Sequence, residues 1–123
     1  EAAGAAVGLH TDDYITDSRL FLRSAALAVR EGMSREGALE AITLANAKMM
    51  RVDDRIGSFK KGKDADLVIL SGDPFSVYTH VEQTWIEGQK VWDRANPEDK
   101  KVATGGYGVF RLNTHTHTHE GGQ

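Results

Sequence analysis

The sequence predicts an α/β protein, and three observations carry that prediction. A short run of small and branched residues ends in two carboxylates, two capped stretches of helical period follow it, and the pattern then changes to strand period and closes on a hairpin turn. Each element can be justified in chain order.

The opening "EAAGAAVGLHTDD" places Gly4 before a run from Ala5 to Leu9 that reads as a short buried strand of the parallel-sheet kind. Strand alternation sorts its side chains: Val7, Leu9 and Thr11 to one face, Gly8, His10 and Asp12 to the other. From Asp17 or Ser18, either a good N-cap, "RLFLRSAALAVRE" reads as a helix with Leu20, Ala25, Leu27 and Ala28 on its apolar side and Gly32 as its stop. Ser34 caps a second amphipathic helix, with Glu36 in its first turn and Leu39, Ile42, Met49 and Met50 as its stripe.

Past "RVDD" the period changes. A Gly-rich charged connector leads to Leu67, Val68, Ile69 and Leu70, a run too short for a helix and bounded by Gly72 and Pro74, which predicts a strand. "VEQTWIEGQKVWD" alternates around Glu87-Gly88, a pair suited to a two-residue hairpin, with Trp85 and Ile86 meeting Val91 and Trp92 across it. After Asp93 the chain is polar, through Asn96-Pro97 and Gly105, Gly106 and Gly108 to "THTHTHEGGQ", and reads as a weakly ordered tail unless something holds it.

The bulk composition narrows the function. With 123 residues, 40% of them hydrophobic and 27% charged, the chain is long enough for one domain with a core. A formal charge of -3 leaves no basic footprint for nucleic acid or an anionic membrane surface. The absence of cysteine excludes disulfides and thiolate metal sites and fits a reducing compartment such as the cytoplasm, without excluding export. No apolar run approaches the ~20 residues of a membrane span. The apolar start lacks the basic region of a signal peptide, and reads as though cut from a longer polypeptide.

Parallel βα architectures put functional side chains where a strand hands over to a loop, and Asp12 stands there. Its carboxylate can ligate a metal or move a proton, and His10 shares its face and can orient it or contact a substrate. Asp12 and Asp13 serve equally as caps for the following loop and helix. In the tail, His115, His117 and His119 would share one face if extended and could bind a transition metal adventitiously; a polar tail without a site is the simpler reading. "GKDAD", residues 62 to 66, reads as a turn leading into a strand.

Two blocks, "GLHTDDYITDSRLFLRSAALAVREGMSREGALEAITLANAKM" and "RIGSFKKGKDADLVILSGDPFSVYTHVEQTWIEGQKVWD", closely resemble the C-terminal end of metal-dependent amidohydrolases of the imidazolonepropionase-like branch. The distinctive parts are the "HTDD" strand end and "GS-x-x-x-GKDADLVIL-x-GDP" followed by a "W-x-x-G-x-x-V" hairpin. The likeness covers nearly residues 1 to 112. It departs at Tyr14 and at or beside Ala47, where the family often carries Pro, and near Arg51, where it carries Gly.

The resemblance implies the last βα unit of a (β/α)8 TIM-type barrel in residues 1–53, with residues 5 to 12 as its eighth strand, a segment of a small composite β-sandwich in 54–93, and a polar Gly/His-rich tail in 94–123. It implies that Asp12 matches the strand-eight aspartate, which contacts a metal-bound water, takes its proton and passes it to the leaving nitrogen. His10, Asp13, Tyr14 and Arg19 then lie near the site entrance as candidate substrate contacts, although Asp17 as a cap and Arg19 facing solvent fit the local sequence as well. The implied cofactor is a divalent metal, zinc in the first instance, bound mainly by residues outside this chain. The family's His-x-His pair, its bridging Lys or Glu and its two later His ligands do not occur in these residues. One carboxylate and one His cannot close a four-ligand zinc site, so the chain alone is expected to be inactive.

The expectation is therefore the C-terminal part of an amidohydrolase that hydrolyses C-N bonds of a cyclic amide or dipeptide-like small molecule, partnered by the missing N-terminal barrel segment or by copies of itself. The alternative is a non-catalytic, self-associating structural module derived from such an enzyme.

Overall fold

The computed structural model describes residues 3–12 and 16–104. Residues 3–12 carry no regular secondary structure, which corrects the strand expected over 5 to 12. A parallel strand owes its ladder to neighbours on both sides, and among the described residues no strand pairs with this segment. Ala5 and Ala6 are exposed and Val7, Gly8 and Leu9 half-buried, so the expected burial is missing as well.

A single 3-10 turn, Ser18–Leu20, leads into α1 (Phe21–Arg30). Asp17 caps the turn by accepting the Arg19 N–H at 2.9 Å. Gly32, at φ 105°, ends the helical run, and Met33 N–H closes back on the Ala28 carbonyl at 3.0 Å. Ala25 is the fully buried residue of α1, whereas Leu20 and Leu27 are exposed, so the apolar stripe predicted for this helix is only partly covered.

The one helix predicted after Ser34 is two: α2 (Arg35–Ala41) and α3 (Leu44–Met49). Ser34 does cap the first, accepting the Gly37 N–H at 2.9 Å. The break falls at Ile42 and Thr43, two β-branched residues, and the Thr43 hydroxyl donates to the Leu39 carbonyl at 2.7 Å. The buried residues here are Ala38, Ala41 and Ala47, while Leu39 (47%), Met49 (51%) and Met50 (72%) face outward. Small side chains let the short helices approach closely; the larger apolar ones are left without cover among the described residues.

A connector then runs to the sheet. Lys63 Nζ ties it together, donating to the Asp53 carbonyl, the Ile56 carbonyl at 3.2 Å and Ser58 Oγ at 2.8 Å. The sheet is antiparallel in the order β1 (Leu67–Leu70), β2 (Val81–Ile86), β3 (Gln89–Asp93). Glu87 (φ 50°) and Gly88 (φ 74°) form the two-residue hairpin turn read from the sequence. The cross-strand partners differ from those expected: Trp85 faces Lys90 and Trp92 faces Thr84, because the register slips between Thr84 and Trp85 and leaves Val91 as an extra residue. Each indole therefore bonds elsewhere, Trp85 Nε1 to Gln83 Oε1 at 3.1 Å and Trp92 Nε1 to the Asp99 carbonyl at 3.0 Å.

The polar run after Asp93 contains a helix, α4 (Pro97–Thr104), where weak order was expected. Asn96 begins it by accepting the Glu98 N–H at 2.9 Å, and Asp99 Oδ2 accepts the Asp93 N–H at 2.9 Å, so the helix packs back on β3. No helix among the described residues is long and apolar enough to cross a membrane.

Candidate functional site

The candidate site is the end of the 3–12 segment. Its backbone is gripped at Leu9, whose N–H donates to the Ala41 carbonyl at 2.9 Å and whose carbonyl accepts Asn46 Nδ2 at 2.7 Å. Past that grip the alternation read from the sequence persists: Leu9 and Thr11 are half-buried, and His10 and Asp12 are exposed. Asp12 turns the chain, with φ 55°, a left-handed conformation that Asp adopts more readily than most side chains. Asp12 is thus an exposed carboxylate at a left-handed backbone position, two residues from the exposed His10.

The other residues singled out are placed as follows. Arg19 is exposed and chelates Asp17, its Nε donating to Oδ1 at 3.0 Å and Oδ2 at 2.9 Å and its Nη2 to Oδ2 at 2.5 Å. That guanidinium, through its side-chain bonds first, holds the Asp17 carboxyl below its ordinary value. Asp17 is therefore a cap and an ion-pair partner. Asp13 and Tyr14, and the tail imidazoles His115, His117 and His119, lie outside the described residues.

The two carboxylates of "GKDAD" are used internally. Asp64 pairs with Arg55 Nη2 at 2.6 Å, and Asp66 Oδ1 accepts the Glu87 N–H at 2.8 Å, so the motif pins the connector and the hairpin turn. His80 is engaged by Glu82 Oε1 at 3.0 Å and by Ser71.

Among the described residues there is no group of three or more His, Cys, Asp or Glu that could hold a metal ion. Asp12 and His10 offer two donors against the four that a zinc centre takes. The described residues therefore do not fit a whole metal site. A cavity of about 620 Å³ lies elsewhere, between α1 and the sheet, lined by Leu22, Ala26, Phe75, Val81, Trp92 and Arg94 among others. Arg19 reaches its edge, but Asp12 and His10 do not line it.

Sequence reasoning missed Asn46. Its signal was present: an Asn is a poor interior helix residue, and its amide bonds readily to nearby backbone, yet the stretch was read as one continuous helix.

Comparison with known proteins adds family context. The model of the amidohydrolase family matches residues 1–92. The chain is 30% identical over 83 residues to amidohydrolase tasK of Hapsidospora irregularis, covering 68% of this chain and 8% of that one. It is 35% identical over 77 residues to the imidazolonepropionase of Picrophilus torridus, covering 57% of this chain and 20% of the relative. Among solved structures, an amidohydrolase from Thermotoga maritima superposes with a TM-score of 0.73 at 38% identity, over 76% of this chain and 24% of that one. The chain thus spans a fifth or less of these two curated relatives.

Proposed function

Because the chain belongs to the amidohydrolase family, whose model spans residues 1–92, we propose that it forms the strand-eight end of a barrel hydrolase acting on C-N bonds, with Asp12 as its proton-transfer carboxylate. The substrate class in this reading is a small cyclic amide or dipeptide-like molecule. The observation that carries the reading is local: Asp12 is an exposed carboxylate at a left-handed turn, three residues beyond a doubly held backbone and beside His10 on the exposed side.

The chemistry follows from that placement. Water attacks the carbonyl carbon, and its proton passes to the Asp12 carboxylate. As the C-N bond breaks, the same proton passes from Asp12 to the leaving nitrogen, so the carboxylate ends as it began. His10, exposed two residues before Asp12, is suited to contact or orient the substrate, and Asp13, Tyr14 and Arg19 remain proposed contacts at the entrance. The divalent metal implied by the family, zinc in the first instance, is in this reading held mainly by residues outside this chain.

The same reading accounts for the uncovered apolar surface. Leu39, Met49, Met50 and Ile86 are between 47% and 72% exposed, and barrel and sandwich segments supplied by other chain would cover them. They also favour the alternative, a self-associating module in which copies of the chain cover one another. A chimaera separates the two readings. Residues 1–93 would replace the matching quarter of the Thermotoga maritima amidohydrolase, and metal content and turnover of a panel of cyclic amides and dipeptides would be measured beside the parent. A metal-loaded, active chimaera supports the hydrolase reading. A folded, metal-loaded but inactive chimaera, together with a stable homo-oligomer of the isolated chain, would favour the module.

A further inference from the structure

The backbone that leads to Asp12 is held by the corner between α2 and α3. If α2 continued unbroken, the Ala41 carbonyl would accept the N–H four residues on. Because the helix ends at Ala41, that carbonyl is one of the orphans of a helix C-terminus, and Leu9 N–H takes it at 2.9 Å. The Leu9 carbonyl would likewise be unpaired but for Asn46 Nδ2, at 2.7 Å from a half-buried position. A backbone segment without ladder partners thus has both polar groups of one residue satisfied by helices.

Gly8 makes this possible. A Cβ at position 8 would stand 2.2 Å from Asn46 Oδ1 and 3.1 Å from Met49 Sδ, so any side chain there would displace the amide that reaches Leu9. Gly8 and Asn46 are therefore two halves of one contact. The glycine is required by close approach, and the Asn amide uses the space.

We propose that Asn46 is a positioning residue for Asp12: through the Leu9 carbonyl it fixes the segment whose next turn presents the carboxylate. The inference rests on the reading of Asp12 as the proton acceptor. The helix break at Ile42 and Thr43 is part of the device, since it frees the Ala41 carbonyl and starts α3 where Asn46 can reach across.

The test uses the full chain and the active chimaera. In the chain, Asn46→Ala is expected to speed amide exchange at Leu9 and the following residues by roughly tenfold, the worth of one hydrogen bond, while exchange in α1 and β2 stays as it was. Gly8→Ala should do the same, and Gly8→Ala with Asn46→Ala should be no worse than either alone, because the clash and the bond share one partner. In the chimaera, Asn46→Ala should lower kcat on the order of 100-fold, the effect of a slightly misplaced catalytic group, with KM unchanged.

Unchanged exchange at Leu9, additive effects of the two substitutions, or acceleration spread evenly over the whole chain would overturn the positioning role. So would local loosening with kcat unchanged. The exchange measurements judge the Asn46 grip by themselves, whereas an unmutated chimaera that binds metal and folds yet hydrolyses nothing would overturn the proposed function.

Discussion

Arg35 Nη2 donates to Asp73 Oδ1 at 2.7 Å, and the same guanidinium lies 4.9 Å from the centre of the Phe75 ring. One residue at the start of α2 thereby joins the helical layer to the loop that follows β1. Asp73 also accepts the Phe75 N–H at 3.0 Å, and these bonds, the backbone one first, hold its carboxyl below the ordinary value of 3.8.

The sign of the pH dependence follows. A depressed carboxylate stabilises the fold fully above its unfolded value, and that contribution is lost as pH falls through the lower folded value. Asp17, held down first by its Arg19 side-chain bonds, and Asp93, held down first by Lys90, act in the same direction. The urea midpoint should be level above about pH 5 and fall below about pH 4. Asp73→Asn should lower the midpoint at neutral pH and shrink the acid drop. Added salt should weaken the Arg35 contribution, because both side chains are about half exposed.

Arg51 sits at φ 59°, just past the end of α3, where Val52 N–H returns to the Ala47 carbonyl at 2.9 Å. The family resemblance has Gly near this position, and a Cβ at such a φ costs conformational energy that glycine does not incur. Arg51→Gly should raise stability by about 1 kcal/mol, read from the denaturation midpoint at constant slope.

Gly57 lies against α3. A Cβ there would stand 2.7 Å from Ala47 Cβ and 3.0 Å from Leu44 Cα, and the residue has φ 83°. Backbone and a buried alanine cannot yield as a flexible side chain can. Gly57→Ala should therefore destabilise by about 1–3 kcal/mol, visible as a lower midpoint with accelerated exchange in α3.

Much of the fold was legible where its cause is local. The Ser34 cap, the Gly32 stop and the Glu87-Gly88 turn are set by neighbours in sequence and stand where they were read, while Asp17, one of two candidate caps, closes the 3-10 turn ahead of α1 rather than α1 itself. The Asn96-Pro97-Glu98-Asp99 start of α4 was equally local, but the polar composition around it drew the reading toward a tail. Illegible features depend on distant partners. Residues 5–12 lack a ladder because, among the described residues, no strand pairs with them, and the slip at Val91 arises between two strands and belongs to neither. At the site, alternation grouped His10 with Asp12, and both are exposed, although the sequence reads there as a buried strand. Asn46, 37 positions from Leu9, was not legible, because only the folded chain brings the amide to that carbonyl.

The central claim, that Asp12 carries the proton in C-N bond hydrolysis, is tested most directly by comparing Asp12→Ala and Asp13→Ala in the active chimaera. The account predicts that Asp12→Ala lowers kcat on the order of 1,000-fold while KM stays within about twofold, and that Asp13→Ala acts mainly on KM. Loss of kcat in Asp13→Ala with Asp12→Ala silent would contradict it and move the catalytic carboxylate by one residue.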